Sequence, residues 1–533
     1  MDINCEYVSY SSTGFFTPLT VDYINESEHL RSFFQYPVSA LGIKEAIAAR
    51  QHFPINREIL VAELRNQYSG FTLTDRQVRN IDALLLDSTF TVTTAHQPVI
   101  FTGPLYFIYK IIHAIKLADL LNSEHPENTF VPVFYMGSED ADIDELGQLN
   151  LNGEKLLWTT DQTGAVGRMK VDQPLLQLID AMAGQLGIHA HGKELIEIFR
   201  HAYKLGESIQ QSTLHLINEL FRNYGLLVVI PDSVPLKSQF THIVTKELSE
   251  HFSHPIVADS IRQLSAHYKT QAVGRDINLF YLFDNVRERI ERTSSKFVVK
   301  SLGKEWEPEA MLQEAQTFPE RFSANVILRP LFQELILPNI IFIGGGGEIA
   351  YWLELKNLFK AAGIHYPLLV LRNSFLFWNN DQQKQLEKFG FVMPDLFKGY
   401  HLLINELVNR ESNHQLQLTG EKQQMHQLYK ILQELAGKID STLAAHAVGL
   451  QHKANEKIEA LERKMLRAEK RKFEAHQRQL KKLLQQLFPT NGLQERVENF
   501  SMFYAKYGPD WLKTVYNCSL GLEQRFAMVE LKR

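Results

Sequence analysis

The segment Thr89–Leu121, TFTVTTAHQPVIFTGPLYFIYKIIHAIKLADLL, admits few folds. Thr89 through Thr94 are β-branched or aromatic, the composition of a strand. A polar turn beginning at Ala95 then leads into apolar residues at helical spacing: Leu105, Ile108, Ile111, Ile112, Ile115 and Leu117. Thr102 is the expected N-cap of that helix, and Gly103 and Pro104 suit its entrance, where a missing N–H costs nothing. Strand, turn and helix make half of a βαβ unit. Ligands bind outside the carboxyl ends of such strands, against exposed helix N–H groups. His96, Gln97, Phe101 and Thr102 belong to that crevice, with Gly103, Tyr106 and Lys110 on its helical side. The alternative, that His96 and Gln97 are ordinary turn residues, stays open at this point.

Further strands repeat the arrangement. Phe130–Met136 reads as a second, buried parallel strand that empties into the acidic run Gly137–Glu145. Ser138, Glu139, Asp140 and Asp142 are the candidates there. A calcium loop starting at Asp140 is excluded, because Glu145 and Leu151 occupy the positions that need Gly and Glu. A magnesium–nucleotide site, carboxylates that hold or deprotonate an amine or sugar hydroxyls, and a solvated helix start all remain. Asn152-Gly153 marks a tight hairpin, residues 173–223 read as helical, and Gly225–Asp232 is a third parallel-type strand. Leu279–Phe283 and Lys296–Lys300 are expected to pair antiparallel within an insertion.

A further apolar strand ends in Gly344-Gly345-Gly346-Gly347-Glu348 ahead of a helix through Tyr351. It matches neither a Walker A loop nor G-x-G-x-x-G. Because Glu348 should repel a phosphate, Gly344, Gly345, Gly346, Glu348 and Tyr351 read as the wall of a pocket for a polar, amine-bearing ligand; a run kept for tight packing is the alternative. Tyr366–Asn373 is one more strand. Arg329 and Arg372 are natural clamps for a carboxylate, or else structural ion-pair partners.

At 533 residues the chain needs two or three domains. Residues 1–380 read as a Rossmann-like α/β core of parallel strands, with a mostly helical lead-in to about residue 85 and inserted connections over about 151–225 and 235–325. Residues 381–488 form a helical region. There Gly437 and Asp440-Ser441 separate two helices, and Leu450, Ala454, Ile458, Leu461, Met465 and Ala468 make a coiled-coil seam. Continuous to Leu487, that arm would be about 70 Å long. Its preferred use is dimerisation, and its basic face (Lys464, Arg467, Lys470, Arg471, Lys472) is read as solvated. Residues 489–533 form a C-terminal segment near the base of the coil, offering Arg496, Tyr504 and Tyr507. Cys5 and Cys518 alone cannot make a disulfide scaffold or a cysteine-rich zinc site, and no metal site is evident. The formal charge of −5 argues against a general nucleic-acid binder. No signal peptide and no run of about 18 apolar residues is present, so no membrane association and a cytoplasmic location are expected.

Four segments occur in order: TAHQPVIFTGPLYFIYK, VPVFYMGSEDADIDEL, NVILRPLFQE through IFIGGGGEIAYWLELK, and the coil ending in LFPTNGLQERVENF. Together they resemble the bacillithiol biosynthesis cysteine-adding enzymes, most specifically in the glycine-rich segment and its AYW helix. The resemblance implies a Rossmann-type core, similar in shape to class I synthetases and nucleotidyl transferases, with a coiled-coil domain that forms a homodimer. It also implies a ligase for the last step of bacillithiol biosynthesis, the making of a low-molecular-weight thiol. The carboxyl of L-cysteine would be joined to the amine of glucosaminyl-malate.

On that implication His96 polarises or transfers a proton, and Glu139 or Asp140 holds the ammonium and accepts its proton. Arg329, Arg372 or Lys110 binds the malyl carboxylates, and a nucleotide lies near Arg496, Tyr504 and Tyr507. Amide formation from a free carboxylate needs activation, most simply by ATP. The cofactor stays unidentified, ATP or ADP being the candidates: no standard ATP signature is present, and Val99 stands where a class I synthetase has its second signature His. Two alternatives of other classes stay open: a non-catalytic RNA- or protein-binding scaffold on a synthetase-like core, and a nucleotidyl transferase.

Overall fold

In the computed structural model, which describes residues 3–271, 274–293 and 295–532, the constraining stretch forms the centre of a sheet. Five strands make it: β1 (Thr89–His96), β2 (Thr129–Met136), β3 (Leu227–Val229), β4 (Asn339–Gly344) and β5 (Leu368–Leu371). All are parallel, in the order 5-4-1-2-3. That is the Rossmann order, so the direction of winding reverses between β1 and β4 and leaves a crevice at their carboxyl ends. Helix α1 (Tyr106–Glu124) returns the chain from β1 to β2. Its Ala114, Leu117 and Leu121 pack with Val92, Phe130, Ile341 and Val370 of the sheet and with Ile43 of the lead-in. Helices α2 (Val234–Glu250), α3 (Arg329–Ile336) and α4 (Gly346–Ala362) follow β3, precede β4 and follow β4 respectively.

The structure departs from the sequence expectations at several places. The lead-in is helical as expected but opens with a strand, Ile3–Val8, which neighbours the C-terminal strand Phe526–Leu531. Thr102 does not cap α1. The helix begins at Tyr106, and the Leu105 N–H, which a cap would otherwise satisfy, donates to the carbonyl of Glu498 at 2.8 Å. Leu279–Phe283 and Phe297–Val299 do not pair. The former turns at Asp284-Asn285 and pairs with Val286–Arg289, while the latter pairs with Glu291–Arg292 and Lys304–Trp306. The charged residues between the two expected strands are themselves strands, alternating along half-exposed edges. The Asn152-Gly153 hairpin is present, Leu151 facing Glu154 across two residues with φ of 52° and 83°.

The chain divides into two compact units, the first running to Leu376 and resuming over Gly492–Val529, the second comprising Phe377–Asn491 and Glu530–Lys532. Most of the C-terminal segment read as separate thus belongs with the first unit. In the second unit, α5 (Thr419–Gly437) and α6 (Ser441–Lys470) pack side by side as a helical hairpin, joined through the Asp440 cap. Glu462 accepts from the Leu418 N–H at 2.6 Å and pairs with Lys422 at 2.5 Å. The expected continuous arm is interrupted by a 3₁₀ turn at Arg471–Phe473 before α7 (Glu474–Leu487), so α6, with 30 residues, is about 45 Å long. Leu450 and Leu461 of the expected seam are exposed, because the partner face of α6 is taken by α5 of the same chain. Among the described residues no helix is long and apolar enough to cross a membrane.

The amino end of the sheet is held by a buried acid. One Glu334 carboxyl oxygen accepts from Gln333 and Asn339, each at 2.8 Å, and Asn339 in turn accepts from Thr91 of β1. Burial pushes the Glu334 carboxyl up to about 7, against the opposing pull of Arg50. The folded chain therefore holds this proton while the unfolded chain releases it near the ordinary 4.5. Stability is greatest below that value and is lost as pH rises through about 7, by roughly 3 kcal/mol for this group. Urea unfolding of Glu334→Gln between pH 5 and 8 should show this slope removed. An unchanged slope would contradict the assignment.

Candidate active site

A cavity of about 780 Å³ opens at the carboxyl ends of β1, β2 and β4. At its floor lies an ion pair whose ammonium is buried and whose carboxylate is a quarter exposed. Lys110, from the second turn of α1 and 1% exposed, reaches Glu348 Oε2 at 2.6 Å and also donates to the carbonyl of Ala95. The same carboxylate oxygen accepts the Gly345 N–H at 2.9 Å, capping α4. Burial works to raise the Glu348 carboxyl, but Lys110 and that N–H hold it below its ordinary value. The expectation that Glu348 repels anions is therefore corrected: its charge is cancelled from below, and the α4 N-terminus keeps its positive end. Lys110 itself is spent on this pair and does not line the cavity.

His96 projects from the end of β1 beside Tyr106 and Phe107, with ring centroids 5.5 and 5.3 Å away. Its Nδ1 lies 3.0 Å from the Gln97 carbonyl, which can only accept, so Nδ1 carries the proton and Nε2 is a free acceptor. Burial, with Lys110 nearby, lowers the imidazole to about 4, so the ring is neutral at pH 7.

The two neighbouring acids at the end of β2 have different surroundings. Glu139, 12% exposed, is paired with Lys237 of α2, which also binds Asp232 at 3.1 Å. Asp232 grips Arg168 through two bonds of 2.6 Å. Burial opposes its charge, but Lys237 and Arg168 hold it down at about 2. Asp140 is 41% exposed, accepts from Gln97 Nε2 at 3.0 Å and lies 3.5 Å from Arg287, whose guanidinium stacks 3.9 Å from the Phe280 ring. Asp140 is thus the acid with a face left for a ligand. Asp142 is an N-cap instead, its carboxylate accepting the Glu145 N–H at 3.1 Å. Ser138 lines the cavity with a buried hydroxyl that has no partner among the described residues.

The arginines also divide. Arg372 is 3% exposed and bound to Glu495 at 2.7 Å, with its guanidinium 5.2 Å from the Tyr106 ring. Arg329 donates to Tyr351 Oη at 2.6 Å and to Gln333, and among the described residues has no carboxylate partner. Arg275, Arg289 and Arg496 also line the cavity. Gly345 and Gly346 form its wall at the start of α4; a Cβ on Gly346 would come within 2.8 Å of the Thr20 hydroxyl.

The remaining candidates fall elsewhere. Thr102 is buried in left-handed backbone, and Gly103 (φ 57°) has room for no side chain, since a Cβ would come within 2.6 Å of Val99. Gly344 ends β4 behind the wall. Tyr504 donates to Glu194, and Tyr507 ends the helix Ser501–Tyr507; neither joins Arg496 at the cavity. Sequence reasoning missed Lys237, Arg168, Arg287, Glu495 and Asn499. Only the hairpin register at Asp284-Asn285 carried a signal, for Arg287; the others depend on contacts distant in sequence.

Fold and cavity together define a Rossmann-like protein with a cleft lined by charged side chains at the carboxyl ends of its strands. The sequence profile of the bacillithiol biosynthesis BshC N-terminal Rossmann-like domain matches residues 3–373, and that of the BshC C-terminal coiled-coil domain matches residues 375–531. The chain belongs to the bacillithiol biosynthesis BshC family. A protein of Christiangramia forsetii named putative cysteine ligase BshC is 37% identical over the whole of both chains. Proteins of the same name from Flavobacterium johnsoniae and Bacillus cereus strain AH187 are 36% and 27% identical, over 98% and 96% of this chain and 99% and 98% of theirs.

Removing the carboxylate leaves the Lys110 ammonium buried and uncompensated. Glu348→Gln should destabilise the protein by about 3–5 kcal/mol in urea unfolding, and the double variant Lys110→Met/Glu348→Gln should recover most of that loss. Equal stability of the two variants would show that the pair is not the source.

Proposed function

We propose that this protein is a ligase that joins the carboxyl of L-cysteine to the amine of glucosaminyl-malate, forming an amide in the last step of bacillithiol biosynthesis. Family membership supports the reaction class. The observation that carries the reading on the structural side is that one cavity is lined both by an exposed acid, Asp140, and by Arg329, a cation that has no carboxylate partner among the described residues. A substrate that bears both an ammonium and carboxylates matches that distribution of charge.

In this reading the malyl carboxylates meet Arg329, Arg372 and the N-terminus of α4, and the sugar ammonium sits between Asp140 and His96 Nε2. The neutral imidazole accepts a hydrogen bond and orients the amine, and Asp140 takes its proton. Attack then forms the C–N bond as the C–O bond to the activated oxygen of cysteine breaks. ATP, as a co-substrate, is the simplest source of that activation. Glu139 has a supporting task, because its charge is engaged by Lys237.

Incubating the protein with glucosaminyl-malate, cysteine and ATP, and omitting each in turn, should give the coupled thiol by mass only when all are present. No amide product under any condition would sink the reaction. Given product, Asp140→Asn should lower kcat by about 10²- to 10⁴-fold, the usual contribution of a positioned base. Arg329→Gln should raise KM for the aminosugar by about 10- to 100-fold, with KM for cysteine unchanged, from loss of a charge-assisted bond.

The helical unit supports a second proposal, a homodimer through the hairpin. Leu428, Ile431, Leu432, Leu435, Ile439 and Leu443 are exposed around the α5–α6 turn, Ile439 by 80%. An apolar cluster of that extent is unusual on a monomer's surface. A second copy supplies an identical apolar face. Sedimentation of Leu435→Glu/Ile439→Glu should give half the wild-type mass with helical content retained. A wild-type protein that sediments as a monomer would refute the dimer.

A further inference from the structure

Two parts of the candidate site are held by one segment far away in sequence, Leu493–Ser501. Asn499, 1% exposed, donates through Nδ2 to the carbonyls of Phe101 (2.9 Å) and Gly103 (2.5 Å). Its Oδ1 accepts from the Ser501 N–H at 2.9 Å and from the Ser501 hydroxyl, so all four hydrogen-bonding positions of the amide are used. The two carbonyls belong to a turn with φ of 49°, 67° and 57° at Phe101, Thr102 and Gly103. Non-glycine residues persist there only when their surroundings over-determine the backbone. That turn spaces His96, at the end of β1, from Tyr106, at the start of α1.

Four residues earlier, Glu495 has no exposed surface. It accepts from Arg372 Nη2 (2.7 Å), Ser374 Oγ (3.2 Å) and the Phe375 N–H (3.3 Å). Arg372 Nη1 donates to the Asn373 carbonyl and to Ser374 Oγ, so the guanidinium is fixed along one edge while it lines the cavity. Arg496, carried between the two anchors, lines the cavity as well.

We infer that Glu495 and Asn499 are positioning residues of the site: Glu495 sets the pose in which Arg372 meets an anionic group of the substrate, and Asn499 holds the turn that spaces His96 from Tyr106. This rests on the proposed reading of the cleft as a site for an amine- and carboxylate-bearing substrate. The competing account is that the two residues only fasten the C-terminal segment to the first unit. That account lowers the folded fraction and leaves each KM where it was.

The test uses the full-length protein, with rates scaled to the folded fraction measured by circular dichroism. Glu495→Gln should raise KM for glucosaminyl-malate about tenfold or more and leave KM for cysteine unchanged, with Glu495→Asp recovering part of the loss. Asn499→Asp, isosteric but facing two carbonyls with an acceptor, should lower kcat of the folded protein by about 10- to 100-fold, the cost of a misplaced reacting group. Unchanged KM values and unchanged kcat per folded molecule would overturn the inference. Should Glu495→Gln fail to fold, Glu495→Gln/Arg372→Gln removes both buried charges together and is compared with Arg372→Gln alone. Calorimetry with malate as the probe should then give equal affinities, since Glu495 acts through Arg372; a further loss in the double variant would overturn the role. A wild type that makes no amide refutes the reaction instead, and the malate comparison still decides the positioning role of Glu495.

Discussion

The burial of the Lys110 ammonium against Glu348 is the interaction on which the cleft depends. Lys110 comes from the helix after β1 and Glu348 from the helix after β4, the two strands between which the winding of the sheet reverses. A crevice at such a point is formed by two loops that diverge, and nothing in the sheet itself sets the distance between them. One buried bond of 2.6 Å does so here, and the Glu348 carboxylate simultaneously caps its own helix through the Gly345 N–H. The Lys110 ammonium could not sit there alone, because an unpaired buried ion costs several kcal/mol. The pair therefore ties the two halves of the sheet together at the floor of the site.

The same neutralisation recurs around the cavity. Glu139 is answered by Lys237, Asp232 by Arg168 and Lys237, and Arg372 by Glu495. Buried pairs of this kind are weak sources of stability, but each fixes the geometry of both partners. What these bonds leave for a ligand is an exposed acid and several cations. Asp140, which Arg287 meets at 3.5 Å but does not cover, and the neutral His96 stand at the ends of β2 and β1; Arg329 stands at the start of α3, Arg275, Arg289 and Arg496 line the same cavity, and Arg372 keeps the edge that Glu495 does not hold. The substrate charge that fits is read from this remainder and not from the full count of acids and bases.

Much of this frame was legible in the sequence, where local pattern and local structure agree. β-branched residues followed by helical spacing gave β1 and α1, and Asn152-Gly153 gave its hairpin. The glycine run gave the wall at α4, and His96 was placed at the end of a strand because strand ends in such sheets are where ligands bind. The failures share one cause. Thr102 has the composition of a cap, yet the acceptor for the helix entrance comes from Glu498, almost 400 residues later. The strand pair expected across residues 279–300 failed because Asp284-Asn285 turns the chain within two residues, which composition alone did not reveal. Glu139 and Asp140 are adjacent and chemically alike, and what separates them is Lys237 on another helix. The continuous coil failed for the same reason: its seam residues face a neighbouring helix of the same chain or solvent, according to a pairing that periodicity does not encode.

The path of the chain explains why the C-terminal segment can matter to chemistry at the sheet. After the helical unit the backbone returns to the first unit at Gly492 and threads beside the Phe101–Gly103 turn. A turn with three consecutive positive φ values cannot be specified by its own residues, since only Gly103 prefers that conformation. The missing specification is supplied by one amide side chain that donates to two of its carbonyls and by a backbone carbonyl that receives the N–H of Leu105. The Rossmann portion of the sequence is therefore incomplete as a site by itself. It becomes one when residues 494–501, carried beyond the coiled coil, close its entrance to α1 and fix its innermost arginine.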